Sequence, residues 1–305
     1  MVKIKDVPEM DPMNEEQESK VTELLGKITA AFVPLPLLFS DASDDDRRIL
    51  AYKFLVARKW KVIDAEKMIH ETVDFRRGRG LDTARWFPSP YPLRGFDQDD
   101  VIKTLGLEPR VPGDWYDKAV KAVLPTYPFN YHAYDKLGHP VYIERPGSSH
   151  VKACVERLRK LCRVGETPAE IGVRLHCGMN ETGAKLLKYM DKKTIAETNG
   201  RRRVLGVTAI LDCAGLGYGH LYNAGLEVFK AELHADQSYY PEGLHQLFAV
   251  NCPSMIMFAY SIVRHALDPR LQQKVVFLNP VETPEALLQV IDAGRERGVR
   301  WSKQT

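Results

Sequence analysis

The chain has 305 residues, which is enough for a substantial core in one large domain or two. Its 43 basic and 40 acidic side chains leave a net charge of +3, which argues against a nucleic-acid binder, since such proteins carry strong one-sided charge. Five cysteines without a C-x-x-C pair predict reduced thiols and neither a disulfide framework nor a metal site. The polar, acidic start of the chain lacks the apolar core of a signal peptide, and no segment has the length and purity of a membrane span. A cytoplasmic protein is therefore expected.

The first third of the chain carries helical patterns. One helix is predicted over Glu15–Ala31, and a second begins at Ser43, where acidic residues suit a helix N-terminus. A third helix is predicted over Asp64–Arg77. These helices predict a small helical lobe over residues 1–85. The three prolines of "WFPSPYP" exclude an ordinary helix there, so residues 86–121 are assigned to a connecting segment.

The rest of the chain alternates between strand and helix patterns. A hairpin is predicted about Lys136–Gly138, and Thr167 with Pro168 opens a long helix that has an apolar stripe. Three strand-like runs follow, with helical patterns at Leu221–Leu233 and Ser254–Ala266 between them: Val204–Leu211, Gln246–Asn251 and Lys274–Leu278. Such alternation predicts a mostly parallel sheet with helical crossovers. The fold class is therefore α/β, with a helical N-terminal lobe followed by a sheet domain over residues 122–305.

A glycine-rich stretch, "LDCAGLGYGHL", follows the first of these strands. A dinucleotide loop needs G-x-G-x-x-G and an acidic residue about 20 positions further on, at the end of a second strand. Here the third glycine, Gly219, falls one residue early, and Asp236 lies in a stretch without a strand pattern. A strand end and a turn is therefore the favoured interpretation, and an NAD-type oxidoreductase remains an alternative.

Four stretches together resemble the CRAL-TRIO lipid-binding proteins. "YKFLVARKWKVIDAEKM" resembles their basic helix end, "YDKLGHPVYIERPG" their D-x-x-G-R-P-V-Y hairpin, and "AILDCAGL" their L-D-x-x-G strand. "QSYYPEGLHQLFAVNCPSMIMFAYSIVRHALDPRLQQKVVFL" is similar to the Y-Y-P-E-R to L-D-P-x-x-x-x-K segment of the yeast-type phosphatidylinositol transfer proteins. The resemblance covers about residues 45–292. It implies a sheet enclosing a lipid cavity in a soluble transfer protein that needs no cofactor and catalyses no reaction.

The resemblance also implies the ligands and partners. They are phosphatidylinositol, a second hydrophobic ligand and a transiently contacted internal membrane, with the protein acting as a monomer. A lipid-sensing scaffold that acts through a protein partner is an alternative that uses the same pocket. By resemblance, four residues contact the lipid headgroup: Arg58, Lys59, Glu242 and Lys274. Leu271 replaces a threonine of this site. From the residues alone, Arg58 and Lys59 are equally well explained as a solvated helix C-terminus.

Two further sets of residues follow from the resemblance. The second-ligand pocket falls on Tyr131, Tyr142, Val207 and Ala209. The last two replace a serine and a threonine that hold phosphatidylcholine in the resembled proteins, which predicts weak or absent phosphatidylcholine binding. The helix Ser254–Ala266 corresponds to a gate that opens at the bilayer, although an ordinary crossover helix would show the same apolar pattern. The gate and cavity residues are Phe248, Met255, Phe258 and Ile262.

Overall fold

A computed structural model of the chain describes Ile4 and residues 7–82, 93–108, 113–256 and 269–292. The chain divides into two compact units. The helical unit comprises Met10–Ala84 and Phe229–Gly243, and the sheet unit comprises Met1–Glu9, Arg85–Val228 and Leu244–Thr305. The boundaries predicted from the sequence differ from this division at residues 1–9, which they place in the helical lobe, and at residues 229–243, which they place in the sheet domain. The predicted connecting segment, 86–121, belongs to the sheet unit. No helix within the described residues is both long and apolar enough to cross a membrane.

The helical unit contains four helices near its start: α1 (Glu15–Ala31), α2 (Leu37–Ser40), α3 (Asp44–Ala57) and α4 (Val62–Gly78). The bounds of α1 are those predicted from the sequence. Asn14 begins this helix with a capping box, in which its side chain accepts from the N–H of Gln17 and its own N–H donates to the Gln17 side chain. The apolar faces of the helices form one buried cluster, which includes Val21, Leu24, Ile28, Phe54, Leu55, Met68 and Ile69.

Residues 229–243 belong to the helical unit because of packing that no local pattern reveals. The ring of Tyr239 stacks on Phe75 of α4, with 3.8 Å between ring centroids and 17° between the planes. Arg79 lies over the same Phe75 ring at 4.0 Å. Aromatic stacking of this kind stabilises by about 0.5–1.5 kcal/mol beyond the burial of the rings.

The sheet unit follows the predicted alternation of strands and helices. Its elements in chain order are α5 (Gln98–Leu105), α6 (Trp115–Val123), β1 (Phe129–Tyr134), β2 (Pro140–Glu144), α7 (Val151–Leu161), α8 (Pro168–Thr198), β3 (Val207–Asp212), the start of α9 (Asn223–Tyr239), β4 (Leu244–Val250), α10 (Pro269–Lys274), β5 (Val275–Phe277) and α11 (Thr283–Val290). The strands lie in the order β1-β2-β3-β4-β5. The pair β1 and β2 is antiparallel, and the other three pairs of these strands are parallel. The predicted fold class is therefore confirmed.

The two faces of the sheet bury different sets of residues. One face packs on α11 in a cluster that contains Val141, Ile143, Ile210, Phe248, Val250, Leu278, Ala286 and Leu287. The other face is covered in part by α8, since the hydroxyl of Tyr131 on β1 donates to the carbonyl of Met179 at 3.3 Å. Because both faces of the sheet are at least partly covered, its inner strands appear in the sequence as nearly continuous apolar runs.

The hairpin between β1 and β2 is organised by a buried carboxylate. Asp135 accepts from the N–H groups of Leu137 and His139 at 2.9 Å each, and from the hydroxyl of Thr208 on β3 at 2.7 Å. Gly138 follows with φ of +97°, a conformation that side chains with a Cβ rarely adopt. This arrangement explains why the D-x-x-G pattern occurs at this turn.

The glycine-rich stretch forms a strand end and a turn. Asp212 accepts from the N–H of Ala214 at 3.2 Å, and Gly215 has φ of +88°. A Cβ on Gly215 would lie 2.9 Å from the carbonyl oxygen of Gly147, so both space and conformation require glycine there. Asp236 lies inside α9 rather than at the end of a second strand. The placement of these residues therefore gives the NAD-type alternative no support.

Candidate functional site

The residues predicted for the second-ligand pocket lie on one face of the sheet. Tyr131 pairs with Tyr142, Tyr142 pairs with Ala209, and Ala209 pairs with Leu247, so these side chains form a row across four strands. Residues that pair across neighbouring strands point to the same face, and Val207 shares it because it lies two positions from Ala209 on β3. The row therefore begins with two phenols and continues with aliphatic side chains.

A carboxylate that the sequence reading missed lies beside the two tyrosines. Glu144 follows Tyr142 by two positions on β2, which places it on the same face. Its carboxylate accepts hydrogen bonds from the hydroxyls of Tyr127 and Tyr142, the latter at 2.9 Å. Burial, together with the charge of Glu144, raises the pKa of Tyr142 well above its ordinary value, so the phenol stays protonated. The spacing of Tyr142 and Glu144, two positions apart in a predicted strand, could have indicated in the sequence that both side chains share one face.

Helix α8 closes this end of the face. The hydroxyl of Tyr142 lies 3.7 Å from the sulfur of Met179, and the rings of Tyr131 and Tyr142 are 5.2 Å apart. A Cβ on Gly183 would lie 2.1 Å from the Tyr131 hydroxyl oxygen, so the helix approaches β1 through a glycine. The phenol end of the row is thus tightly packed. The side chains of Val207 and Leu247 further along the row are half-buried.

The predicted headgroup residues of the helical unit lie at turns with uncommon backbone conformations. Arg58 ends α3, and its guanidinium donates to the carbonyl of Ala57 at 3.3 Å. Lys59 is exposed and has φ of +52°, and Glu242 has φ of +51°. A positive φ strains the backbone of any residue other than glycine, and structures often retain such strain at binding sites.

The remaining headgroup residues belong to the sheet unit. Lys274 is the last residue of α10, and its ammonium group donates to the carbonyl of Leu244 at the start of β4, at 2.9 Å. Leu271 lies in the same helix, one turn before it. The ammonium group of Lys274 therefore has a structural partner within the sheet unit, which the sequence reading did not anticipate.

The residues predicted for the gate and cavity do not form one group. Phe248 is fully buried in the cluster against α11, on the face opposite to Leu247 and Tyr142. It therefore does not line the face that carries Tyr142, because neighbouring residues of a strand point to opposite faces. Met255 is half-buried within a short helical stretch at residues 254–256. Phe258 and Ile262 lie outside the described residues.

Comparison with known proteins shows the family of this chain. The CRAL/TRIO domain model matches residues 124–295. The chain belongs to the CRAL/TRIO domain family. The matched range contains the five strands β1 to β5 and the row of Tyr131, Tyr142 and Ala209.

Two curated relatives and one solved structure extend this comparison. The chain is 27% identical over 286 residues, 93% of its length, to phosphatidylinositol/phosphatidylcholine transfer protein SFH13 of Arabidopsis thaliana. It is 25% identical over 292 residues, also 93% of its length, to protein real-time of Drosophila melanogaster. The chain spans 38% and 35% of the lengths of these two relatives. The crystal structure of Sfh5 shares the CRAL/TRIO fold with a TM-score of 0.58 at 15% identity, covering 88% of this chain and 82% of that one.

Proposed function

We propose that this CRAL/TRIO protein binds phosphatidylinositol and exchanges it between membranes, acting as a monomer that touches internal membranes transiently. The observation that carries the proposal is the row across β1 to β4, with phenols at one end and aliphatic residues along the rest. The half-buried aliphatic side chains of this row, Val207 and Leu247, suit the acyl chains of a lipid, because apolar surface is stabilised when it leaves water. Relatives named as phosphatidylinositol/phosphatidylcholine transfer proteins support the same class of ligand.

Apolar surface is needed because the transferred lipid leaves a bilayer. Each CH₂ group removed from hydrocarbon forfeits about 0.8 kcal/mol unless the protein covers it. In the proposed cycle the protein docks on a membrane, opens the predicted gate within 254–266, exchanges lipid and closes around the acyl chains. We assign the helical lobe of this transfer protein to the helical unit and its lipid-binding domain to the sheet unit, in place of the predicted bounds 1–85 and 122–305.

The headgroup would be held by Arg58, Lys59, Glu242 and Lys274. Cations suit the phosphate, while a carboxylate suits the inositol hydroxyls. We expect the double substitution Lys274→Ala with Glu242→Ala to abolish phosphatidylinositol transfer, because the unpaired polar groups left behind weaken affinity steeply.

The test is transfer of labelled phosphatidylinositol between vesicles. Lys67→Ala with Glu71→Ala is the matched control, since it removes an exposed lysine and glutamate that pair on α4 at 3.8 Å. Circular dichroism checks that both variants fold. Transfer at the wild-type rate by the Lys274/Glu242 variant would refute the headgroup assignment. Lipid that copurifies with the protein but never exchanges would instead indicate a sensing scaffold.

We further propose that phosphatidylcholine is bound weakly or not at all, because Val207 and Ala209 offer no hydroxyl to its phosphate. Each missing hydrogen bond costs about 1–3 kcal/mol, so two reduce affinity by roughly 30-fold or more. Val207→Ser with Ala209→Thr should gain phosphatidylcholine transfer in the same assay. Val276→Thr is the control, since it adds a hydroxyl on the opposite face. Equal rates for both lipids in the unmodified protein would contradict this proposal.

A further inference from the structure

The N-terminal strap, defined as Ile4 and residues 7–9, is held at two places on the sheet unit. Ile4 packs beside the buried cluster against α11, and its N–H donates to the side chain of Gln289 at 3.3 Å. Glu9 reaches the edge where the parallel strands begin, and its carboxylate accepts from the N–H of Leu205 at 2.7 Å. The strap therefore connects the α11 side of the sheet with its amino-terminal edge.

Two buried histidines complete the contact at this edge. Nε2 of His139 lies 2.9 Å and Nδ1 of His245 lies 3.2 Å from the same carboxylate oxygen of Glu9. The two imidazole rings stack with 3.6 Å between centroids and 11° between planes. The side chains of His139, His245 and Glu9 are 1%, 4% and 22% exposed, so water screens the cluster poorly.

The partners of His139 determine its protonation state. Nδ1 lies 2.8 Å from the carbonyl oxygen of Gly206, which can only accept a hydrogen bond. Nε2 faces the Glu9 carboxylate, which also only accepts when it is ionised. Both hydrogen bonds exist together only when His139 carries a proton on each nitrogen, and so a positive charge.

The electrostatics of the cluster agree with this geometry. Burial alone would raise the pKa of Glu9, but hydrogen bonds from His139, His245 and the Leu205 N–H outweigh it and lower that pKa to about 2. Burial alone would lower the pKa of His139, but the hydrogen bond to Glu9 and the charges of Asp135 and Glu9 raise it above the ordinary 6.5. Asp191 of α8 accepts from the N–H of Val204, the residue before Leu205, at 2.8 Å, and its charge is paired with Arg203 at 2.7 Å.

The same three side chains also have a composition that binds metal ions. The stacked rings argue against that use. A zinc ion lies about 2.0–2.1 Å from a histidine nitrogen and close to the plane of its ring. A single ion cannot lie in the planes of both rings when these are nearly parallel and 3.6 Å apart. The arrangement instead suits a carboxylate that accepts from both rings.

We propose that Glu9, His139 and His245 form a proton-dependent latch that fastens the N-terminal strap to the edge of the sheet where β2, β3 and β4 begin. Because the folded-state pKa of His139 is raised, the latch is complete below pH 6.5 and weakens as the pH rises through that raised value. On the acid side it persists until Glu9 is protonated, near pH 2. The strap is therefore held most firmly in mildly acidic solution and less firmly in alkaline solution, where its contacts to Leu205 and Gln289 remain.

Amide hydrogen exchange and histidine NMR titration of the full chain test the latch. We expect the protection of the Leu205 amide to fall severalfold between pH 6 and pH 9, after correction for the intrinsic pH dependence of exchange. Glu9→Gln should remove this dependence and lower the pKa of the His139 ring. Glu23→Gln, which removes an exposed glutamate from α1, should behave like the wild type.

Three results would overturn the proposal. The first is a His139 ring that titrates below pH 6.5 in the unmodified protein, a measurement that requires no variant. The second is a His139 titration that Glu9→Gln leaves unchanged in a folded protein. The third is stoichiometric zinc binding that Glu9→Gln abolishes, because the cluster would then be a metal site.

Discussion

Replacing Gly183 with alanine tests whether α8 closes the tyrosine end of the row as the structure shows. The new Cβ would lie 2.1 Å from the Tyr131 hydroxyl oxygen and 2.8 Å from the ring carbon that bears it. Tyr131 is 4% exposed and is held between α8 and the ring of Tyr142. The hydroxyl must therefore move by more than about 1 Å, because interiors are too densely packed to yield freely.

The magnitude follows from three contributions. Overpacking costs about 1–3 kcal/mol, and loss of the hydrogen bond from Tyr131 to Met179 costs about 1–3 kcal/mol more if the hydroxyl stays buried. Alanine is favoured over glycine inside a helix by about 1 kcal/mol, which offsets part of that cost. We expect a net destabilisation of about 2 kcal/mol, measured by urea unfolding followed by circular dichroism.

Gly26→Ala is the matched control, because Gly26 also lies inside a helix but a Cβ added there would meet nothing within 4 Å. This control should stabilise the protein by about 0.5–1 kcal/mol. Tyr131→Phe in the Gly183→Ala background should restore part of the loss, since the closest atom is removed while the ring carbon at 2.8 Å remains. If Gly183→Ala stabilises the protein as Gly26→Ala does, Tyr131 does not pack on α8.

Substitutions at two further positions test other parts of the molecule. Lys59→Gly should relieve the left-handed backbone strain and raise the free energy of unfolding, measured by thermal unfolding, by roughly 0.5–1 kcal/mol. Both Lys59→Gly and Lys59→Ala should weaken phosphatidylinositol binding, but Lys59→Ala should not gain stability. Equal stability of the two variants would contradict the strain. Asp135→Ala should destabilise the protein by about 2–4 kcal/mol in urea, because the Thr208 hydroxyl and two N–H groups lose their acceptor. A loss below about 1 kcal/mol would show that these groups find other partners.

The elements that the sequence predicted well are those defined by local pattern. Helix α1 has the predicted bounds because a capping residue, Asn14, begins it and an apolar stripe of Val21, Leu24 and Ile28 continues into its last turn. The strands β3 and β4 were located to within a few residues by their apolar runs between turn residues. The hairpin and the turn at Gly215 followed from glycines that need a positive φ.

The face of the sheet on which each strand side chain lies could not be predicted in the same way. Phe248 and Leu247 are both apolar, and nothing in the sequence indicates which one faces α11. A strand of a parallel sheet is buried on both faces, so it lacks the polar alternation that would mark one side. Its apolar side chain placed Phe248 among the predicted cavity residues, whereas the structure packs it against α11, on the face opposite to Leu247.

The latch was missed for a different reason, which is distance along the chain. Glu9 lies 130 residues before His139 and further still before His245, and no local period connects them. The first twenty residues show only a polar, acidic composition, which gives no sign of a contact with the sheet. Contacts of this kind depend on the assembled sheet, because His139, Leu205 and His245 come together only when β2, β3 and β4 align.

The alignment of the predicted ligand face depends on buried carboxylates at the two ends of the strands. At the amino-terminal ends of the parallel strands, Asp135, which precedes β2, accepts from the hydroxyl of Thr208 on β3. At their carboxyl ends, Asp212 on β3 accepts from the side-chain amide of Asn251, which follows β4, at 2.8 Å. A one-residue slip of β3 would turn Ala209 to the opposite face and Thr208 towards Tyr142. Such a slip would leave both carboxylates without these partners, and unpaired buried polar groups are costly. The row that would bind lipid is therefore fixed in place by residues that do not touch it.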